Sequence, residues 1–144
     1  MDHSGEEIPL LRLLPILQRI TSLSDLHKKF GVTKSQMIIF LVLHYKESTT
    51  MSEIAQYICS SKEQATRAVA SLCDHGLVER FEDPANRTHV FIRFTEDGKN
   101  MMKQLASQLR ADIRNRLSSS LSEEELCELR QSVMNTIEIL NKVK

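Results

Sequence analysis

Between Thr50 and Gly98 the chain punctuates itself as two short capped helices, a glycine stop and a β-hairpin, and that order restricts the fold more than any other stretch does. Thr50-Met51-Ser52-Glu53 has the Ser/Thr-x-x-Glu form of a capping box, in which a hydroxyl and a carboxylate satisfy the amide donors that a helix start leaves free. A helix beginning at Met51 carries Ile54, Ala55 and Ile58 on one face and runs into Cys59-Ser60-Ser61, where either serine can cap a second helix. The join is short, as a helix-turn-helix requires. In the second helix Ala65, Ala68, Val69 and Leu72 form an apolar stripe at helical spacing and leave Lys62, Gln64, Thr66, Arg67 and Ser71 outside it. Gly76 stands where a left-handed cap is wanted, a conformation that costs glycine little.

After Gly76 the period changes from that of a helix to that of a strand. Leu77 to Phe81 and Val90 to Phe94 are β-prone, the second run alternating Val90, Ile92 and Phe94 against Phe91 and Arg93. The turn-rich Asp83-Pro84-Ala85-Asn86 between them predicts a hairpin with a protruding tip, followed by Arg87, Thr88 and His89. Thr95 can cap the next helix and so fix the hairpin at its base. Two helices, a tight turn and a hairpin make a winged helix-turn-helix, and binding of double-stranded DNA becomes the leading expectation.

The flanking segments read as helices. Ile8 to Phe30 carries Leu10, Leu11, Leu13, Leu14, Leu17, Ile20, Leu23 and Leu26, more apolar surface than a monomer's outer helix needs, with Pro15 bending it or marking its start. That excess predicts a partner. Thr33 to Glu47 is the next helix, with Met37, Ile38, Phe40, Leu41 and Leu43 expected inside, and Ser48-Thr49-Thr50 adds a short strand to the wing. A helix from Glu96 to Leu117 carries Met102, Leu105, Leu109, Ile113 and Leu117 until Ser118-Ser119-Ser120 breaks it. Ser122-Glu123-Glu124-Glu125 is a further capping box, and Leu126, Leu129, Val133, Ile137 and Leu140 then show the spacing of helices that pair.

On Thr66-Arg67, Gly76-Leu77-Val78-Glu79-Arg80, Asp83-Pro84, Arg87 and Phe94-Thr95-Glu96-Asp97-Gly98, the segment from Ser61 to Gly98 resembles the MarR family of bacterial transcription regulators. Nearly the whole chain shares the likeness less specifically. The resemblance implies a mainly α fold with a small β-hairpin wing, in one unit over residues 1–144: a winged DNA-binding lobe over 31–99, and a helical dimerisation region over 1–30 and 100–144. Leu10, Leu11, Leu14, Leu126, Leu129, Val133, Ile137 and Leu140 are the candidate dimer contacts. By the same resemblance a homodimer acting as a repressor sits on a palindromic operator, with the Ser61 to His75 helix in the major groove and Arg87 in the adjacent minor groove. Control by a small-molecule effector is a further implication, in a pocket between dimer helices and winged lobe to which Met37, His44, Met101 and Met102 are candidates, with core filling as the alternative for the methionines. The sequence departs from the family twice: Asn86 replaces a common aspartate that helps hold the wing arginine, and Glu63 puts a carboxylate near the start of the reading helix.

Residue chemistry suggests how that helix and wing would contact DNA. Gln64 suits adenine edges, Arg67 guanine or phosphate, and Ser61, Lys62 and Thr66 phosphates, while Arg87, Thr88 and His89 lie on the wing. Arg67 could instead pair with Glu63 one turn earlier. Formal net charge is zero, and from Ser60 to Lys99 six Lys and Arg face seven Asp and Glu, so no basic stripe exists. Binding must then depend on a few well-placed contacts, and a winged-helix module that binds protein stays open as the alternative.

Other classes find little support. With 144 residues and 41% apolar content, the chain can bury a core without disulfides. Met1 to Glu7 is polar and acidic, unlike a signal peptide, and the apolar run Met37 to Leu43 is too short to cross a bilayer, so a cytosolic protein is expected. Cys59, Cys73 and Cys127 form no CxxC pair and are expected reduced; a redox-sensing regulator is a second alternative, with Cys59 ahead of a helix N-terminus as its best candidate. His3, His27, His44, His75 and His89 show no paired spacing for zinc, and Cys73-Asp74-His75 is one weak cluster. No phosphate loop or nucleophile elbow is present, so neither enzyme activity nor a cofactor is expected.

Overall fold

The computed structural model describes residues 8–21 and 23–144, with the backbone alone at Leu23, Ser24, Leu26 and Arg87. The Met1 to Glu7 segment and the side chains of Leu23 and Leu26, which entered the sequence reading, lie outside the described residues. Among the described residues the chain is mostly helical with a small three-stranded antiparallel sheet. Two compact units contain it: one takes the described residues up to Thr21 with Leu109–Lys144, and the other continues from there to Gln108.

In the first unit, α1 (Pro9–Thr21) opens on a proline, whose missing N–H is not needed in a first turn, and continues through Pro15. In the stretch read as helical over 8–30, α2 (Leu23–Phe30) follows α1, and Ser22 between them lies outside the described residues. Near the end of α1, Arg116 Nη1 donates to the carbonyls of Arg19 and Ile20 at 3.0 and 3.2 Å. Arg116 belongs to α6 (Glu96–Ser118). After it α7 (Glu123–Leu140) starts with a complete capping box between Ser122 and Glu125, as the sequence predicts. Neither α1 nor α7 buries a single residue within the chain.

The second unit is organised around α3 (Lys34–Lys46). Its cap is a reciprocal pair between Thr33 and Gln36, a capping box that sequence reading missed. Met37, Ile39, Phe40, Val42 and Leu43 are buried, whereas Ile38 and Leu41, expected inside, are half-buried. The reason is that α2, the strand β1 (Ser48–Thr50), α4 (Met51–Tyr57) and α5 (Lys62–Asp74) all pack on α3, so no single stripe marks its inner face.

The sheet runs in the order β1-β3-β2, with β2 at Val78–Asp83 and β3 at Asn86–Phe94. Ile92 pairs with Thr49 on one side and Arg80 on the other, at the centre of the sheet. Phe94 meets Phe40 of α3 edge to face with ring centroids 5.3 Å apart, which anchors the wing on the core. Val90, which alternates in step with Ile92 and Phe94, is exposed, because at that point the hairpin has left the core.

The capping box expected at Thr50 is half formed. Thr50 Oγ1 accepts from the Glu53 amide, but the Glu53 carboxylate turns away to accept from Lys46 Nζ and from Thr49 Oγ1, each at 2.9 Å. The bond from Lys46 holds the Glu53 carboxyl below its ordinary value, and the same bond from Glu53 holds the Lys46 ammonium above its own. Both side chains are about two-fifths exposed, so the pair contributes at most about 1 kcal/mol. It ties the end of α3 to the start of the helix-turn-helix.

Candidate nucleic-acid interface

Backbone turns at both ends fix α5 before any side chain acts. At its front, α4 closes in a Schellman turn: the Ser60 amide donates to Ala55 O at 3.0 Å and the Cys59 amide to Gln56 O at 3.2 Å. Cys59 occupies the left-handed position of that turn at φ 52°, where glycine is the usual choice. Ser61 is then the N-cap, its Oγ accepting from the Gln64 amide, and this selects one of the two serines the sequence left open. At the rear, Gly76 takes φ 70° in a second Schellman turn, with Leu77 N donating to Leu72 O and Gly76 N to Cys73 O, as the sequence predicts.

Between those turns Ala65, Val69 and Leu72 are buried and Ala68 is half-buried, which leaves Ser61, Lys62, Glu63, Gln64, Thr66 and Arg67 exposed. No ion pair joins Glu63 to Arg67 among the described residues, so the guanidinium stands free of the local partner considered for it. The Thr66 hydroxyl donates to Lys62 O at 2.8 Å, so its proton is engaged inside the helix and only acceptor capacity remains. Lys62, Gln64 and Arg67 keep their donors.

The wing differs from the expected shape. Its turn is Pro84-Ala85, braced by Asp83 Oδ1 accepting from the Ala85 amide at 3.0 Å, and Asn86 already belongs to β3. Asp83 pairs with Asn86 but Glu82 pairs with Val90, so Arg87, Thr88 and His89 fall opposite a single step of β2 and bulge from the ladder. These residues are therefore on the return strand and not beyond a loop. The Arg87 side chain lies outside the described residues. Asn86 Oδ1, at the position where an aspartate was expected, accepts from the Thr88 hydroxyl and amide. Thr88 and His89 are exposed.

Below the bulge a brace stiffens the wing. Arg93 donates from Nε to Glu79 Oε1 at 2.8 Å while its guanidinium lies 4.1 Å from the Phe81 ring centre, and Phe81 stacks on Phe91 at 5.6 Å. Sequence reading missed this group. At the hairpin base, Thr95 Oγ1 donates to Gly76 O and accepts from Gly98 N, and Thr95 N donates to Leu77 O. Lys62, Arg67 and Arg80 enter no ion pair among the described residues, whereas Arg93 and Lys99 are paired with Glu79 and Glu96.

The residues assigned to dimer contacts lie where apolar side chains meet solvent. Leu10, Leu11, Leu14, Leu129, Val133, Ile137 and Leu140 are exposed and Leu126 is half-buried, joined by Ile8, Met134 and Ile139. A cavity of about 790 Å³ lies in the second unit, lined by residues that include Leu43, His44, Glu47, Arg93, Phe94, Lys99, Met102 and Lys103. Of the four candidate pocket residues, His44 and Met102 line it; Met37 is core, and Met101 is half-buried elsewhere. Cys59 and Cys127 are exposed and Cys73 is half-buried, all as free thiols. Among the described residues no cluster of three or more His, Cys, Asp or Glu could hold a metal, and no helix is long and apolar enough to cross a membrane.

Residues 32–90, from the end of α2 through α5 and into β3, match the sequence profile of the MarR family. An uncharacterized HTH-type transcriptional regulator, YhbI of Bacillus subtilis strain 168, is 28% identical over 79 residues, 55% of this chain; the match spans about half of that relative's length, 51%. Among solved structures, wild-type MarR from E. coli in its apo form superposes with a TM-score of 0.72 at 22% identity, over 91% of this chain and 98% of that one. NadR in complex with 4-hydroxyphenylacetate superposes with a TM-score of 0.78 at 16% identity, over 97% and 96%. The structural likenesses carry the fold along almost the whole chain, and the sequence profile covers the helix-turn-helix itself. Residues 32–90 accordingly carry a match to the MarR family of transcriptional regulators, and nearly the whole chain shares the winged helix-turn-helix fold of solved MarR-type regulators.

Proposed function

We propose that this protein represses transcription as a homodimer on a palindromic operator, each α5 entering a major groove and each Arg87 the neighbouring minor groove. The observation that carries the reading is the α5 face: Lys62, Gln64 and Arg67 are exposed, uncommitted and held on a helix fixed by a Schellman turn at each end. The two α5 helices of such a dimer would address half-sites about one helical turn, roughly 34 Å, apart. A regulator of this kind works in the cytoplasm, at the chromosome.

Selection of duplexes from a random library by the purified protein, at two salt concentrations, tests this. Enrichment of a palindrome is expected, with binding reduced at least tenfold by Arg87→Ala. Four candidate cations per lobe, Lys62, Arg67, Arg80 and Arg87, limit the slope of log K against log salt to about −7 for a dimer. No enrichment at low salt would favour the winged-helix module that binds protein instead.

The cavity supports effector control. Phe94 and Met102 give it an apolar wall. Arg93 and Lys99 are engaged by Glu79 and Glu96 in the same lining, which leaves Lys103, in a lining shared with Glu47, to meet the carboxylate of an aromatic acid, the chemical class of the ligand held by NadR. Occupancy would act by favouring one spacing of the lobes over another. Aromatic carboxylates are expected to raise the melting temperature and weaken operator binding together; if a panel including 4-hydroxyphenylacetate shifts neither, the cavity has another use.

A further inference from the structure

The exposed residues of α5 account for contact with DNA but not for how the helix keeps its place on the lobe. Ala65, Val69 and Leu72 supply the contact beneath it, and apolar packing is non-directional, so it resists separation better than sliding. One polar group also crosses this contact. Gln36 is 7% exposed, and its side-chain amide works in both directions: Oε1 accepts from the Thr33 amide at 3.0 Å and Nε2 donates to the Ala68 carbonyl at 3.4 Å. Ala68 follows Arg67 directly, and its carbonyl can accept this bond beside the one a helix provides.

We propose that Gln36 is a positioning residue for DNA reading, a clasp that sets the register of α5 along α3. The inference rests on α5 being the reading helix. Because the same amide oxygen closes the cap of α3, the clasp is referenced to a helix end that cannot slip without losing its own bond. At the other end of α3, Leu43, His44 and Glu47 line the cavity, roughly 10 Å along the axis. A displacement of α3 by a bound ligand is therefore passed to α5 through a directional bond.

Two substitutions separate clasp from cap. Thr33→Ala removes the hydroxyl that accepts from Gln36 N and leaves both bonds of the Gln36 side chain. Gln36→Met keeps the length of the side chain and removes both of them. On the duplex that the wild-type protein enriches, Gln36→Met is expected to bind about tenfold more weakly, with a lower ratio of specific to non-specific affinity and faster hydrogen exchange in α5. Thr33→Ala is expected to lower the melting temperature while keeping wild-type affinity and ratio. Equal deficits in the two variants, or wild-type affinity in Gln36→Met, would overturn the clasp. If Gln36→Met does not fold, Gln36→Glu at about pH 8, which keeps an oxygen for the Thr33 amide and removes the donor, is judged by the same criteria. Failure of the underlying reading looks different: Gln64→Ala and Arg67→Ala would then leave the wild-type affinity unchanged.

Discussion

Leu129→Asp and Val133→Asp are each expected to turn the protein into monomers and to remove specific DNA binding with the dimer. Both residues lie on α7, at 38% and 45% exposure, on a helix that buries nothing inside its own chain. Leu11 and Leu14 of α1 are more exposed still, at 68% and 58%. So much apolar surface on α1 and α7 calls for a covering surface, and a two-fold interface supplies one from a second copy. Symmetry doubles the effect of any substitution, since each carboxylate enters the contact twice. Burying an unpaired carboxylate costs about 3 kcal/mol or more, so two of them weaken the dimer on the order of 10⁴-fold. Sedimentation and duplex binding, measured on the same samples, check both halves. Either variant remaining dimeric at wild-type concentrations would place the interface elsewhere.

Gly98→Ala is expected to be the most damaging single methyl group in the winged lobe. A Cβ at this position would sit 2.9 Å from the Leu77 carbonyl carbon and 2.9 Å from the Phe94 ring, and against the Leu77 carbonyl oxygen itself. Backbone cannot step aside as a flexible side chain can. The oxygen in the way accepts from the Thr95 amide, and the Gly98 amide donates to the Thr95 hydroxyl, so relief of the clash breaks the hinge between β2, β3 and α6. Overpacking against a fixed main chain costs about 3 kcal/mol, a fall of roughly 10 °C in melting temperature for a domain of this size. A scanning-calorimetry transition within a degree or two of wild type would show that the base of the wing yields.

Much of the lobe was legible because its information is local. The serine that starts α5, the glycine that ends it and the stripe between them are set by hydrogen-bond and steric rules that act over four or five residues, and each is found in place. Cys59 shows the limit of such reading: it adopts the conformation that signals a turn in glycine but gives no sign of it in sequence. The wing was hidden for another reason. Counting back from Pro84-Ala85 without a bulge sets Glu79 opposite Val90, whereas three extra residues on β3 bring it to Arg93. An odd shift exchanges the two faces of a strand, which is why the brace of Glu79, Phe81 and Arg93 was not foreseen. The central helix misled through its success, since burial on several sides erases the stripe by which an inner face is recognised.

The bulge that carries Arg87, Thr88 and His89 also bears on how such a protein changes over generations. Because these residues lie outside the ladder, one can be gained or lost there while Phe81, Phe91 and Arg93 keep their partners and their faces. Insertions and deletions elsewhere in the hairpin would invert the sheet. The reach of the wing can thus change at the bulge while the hairpin that supports it keeps its pairing.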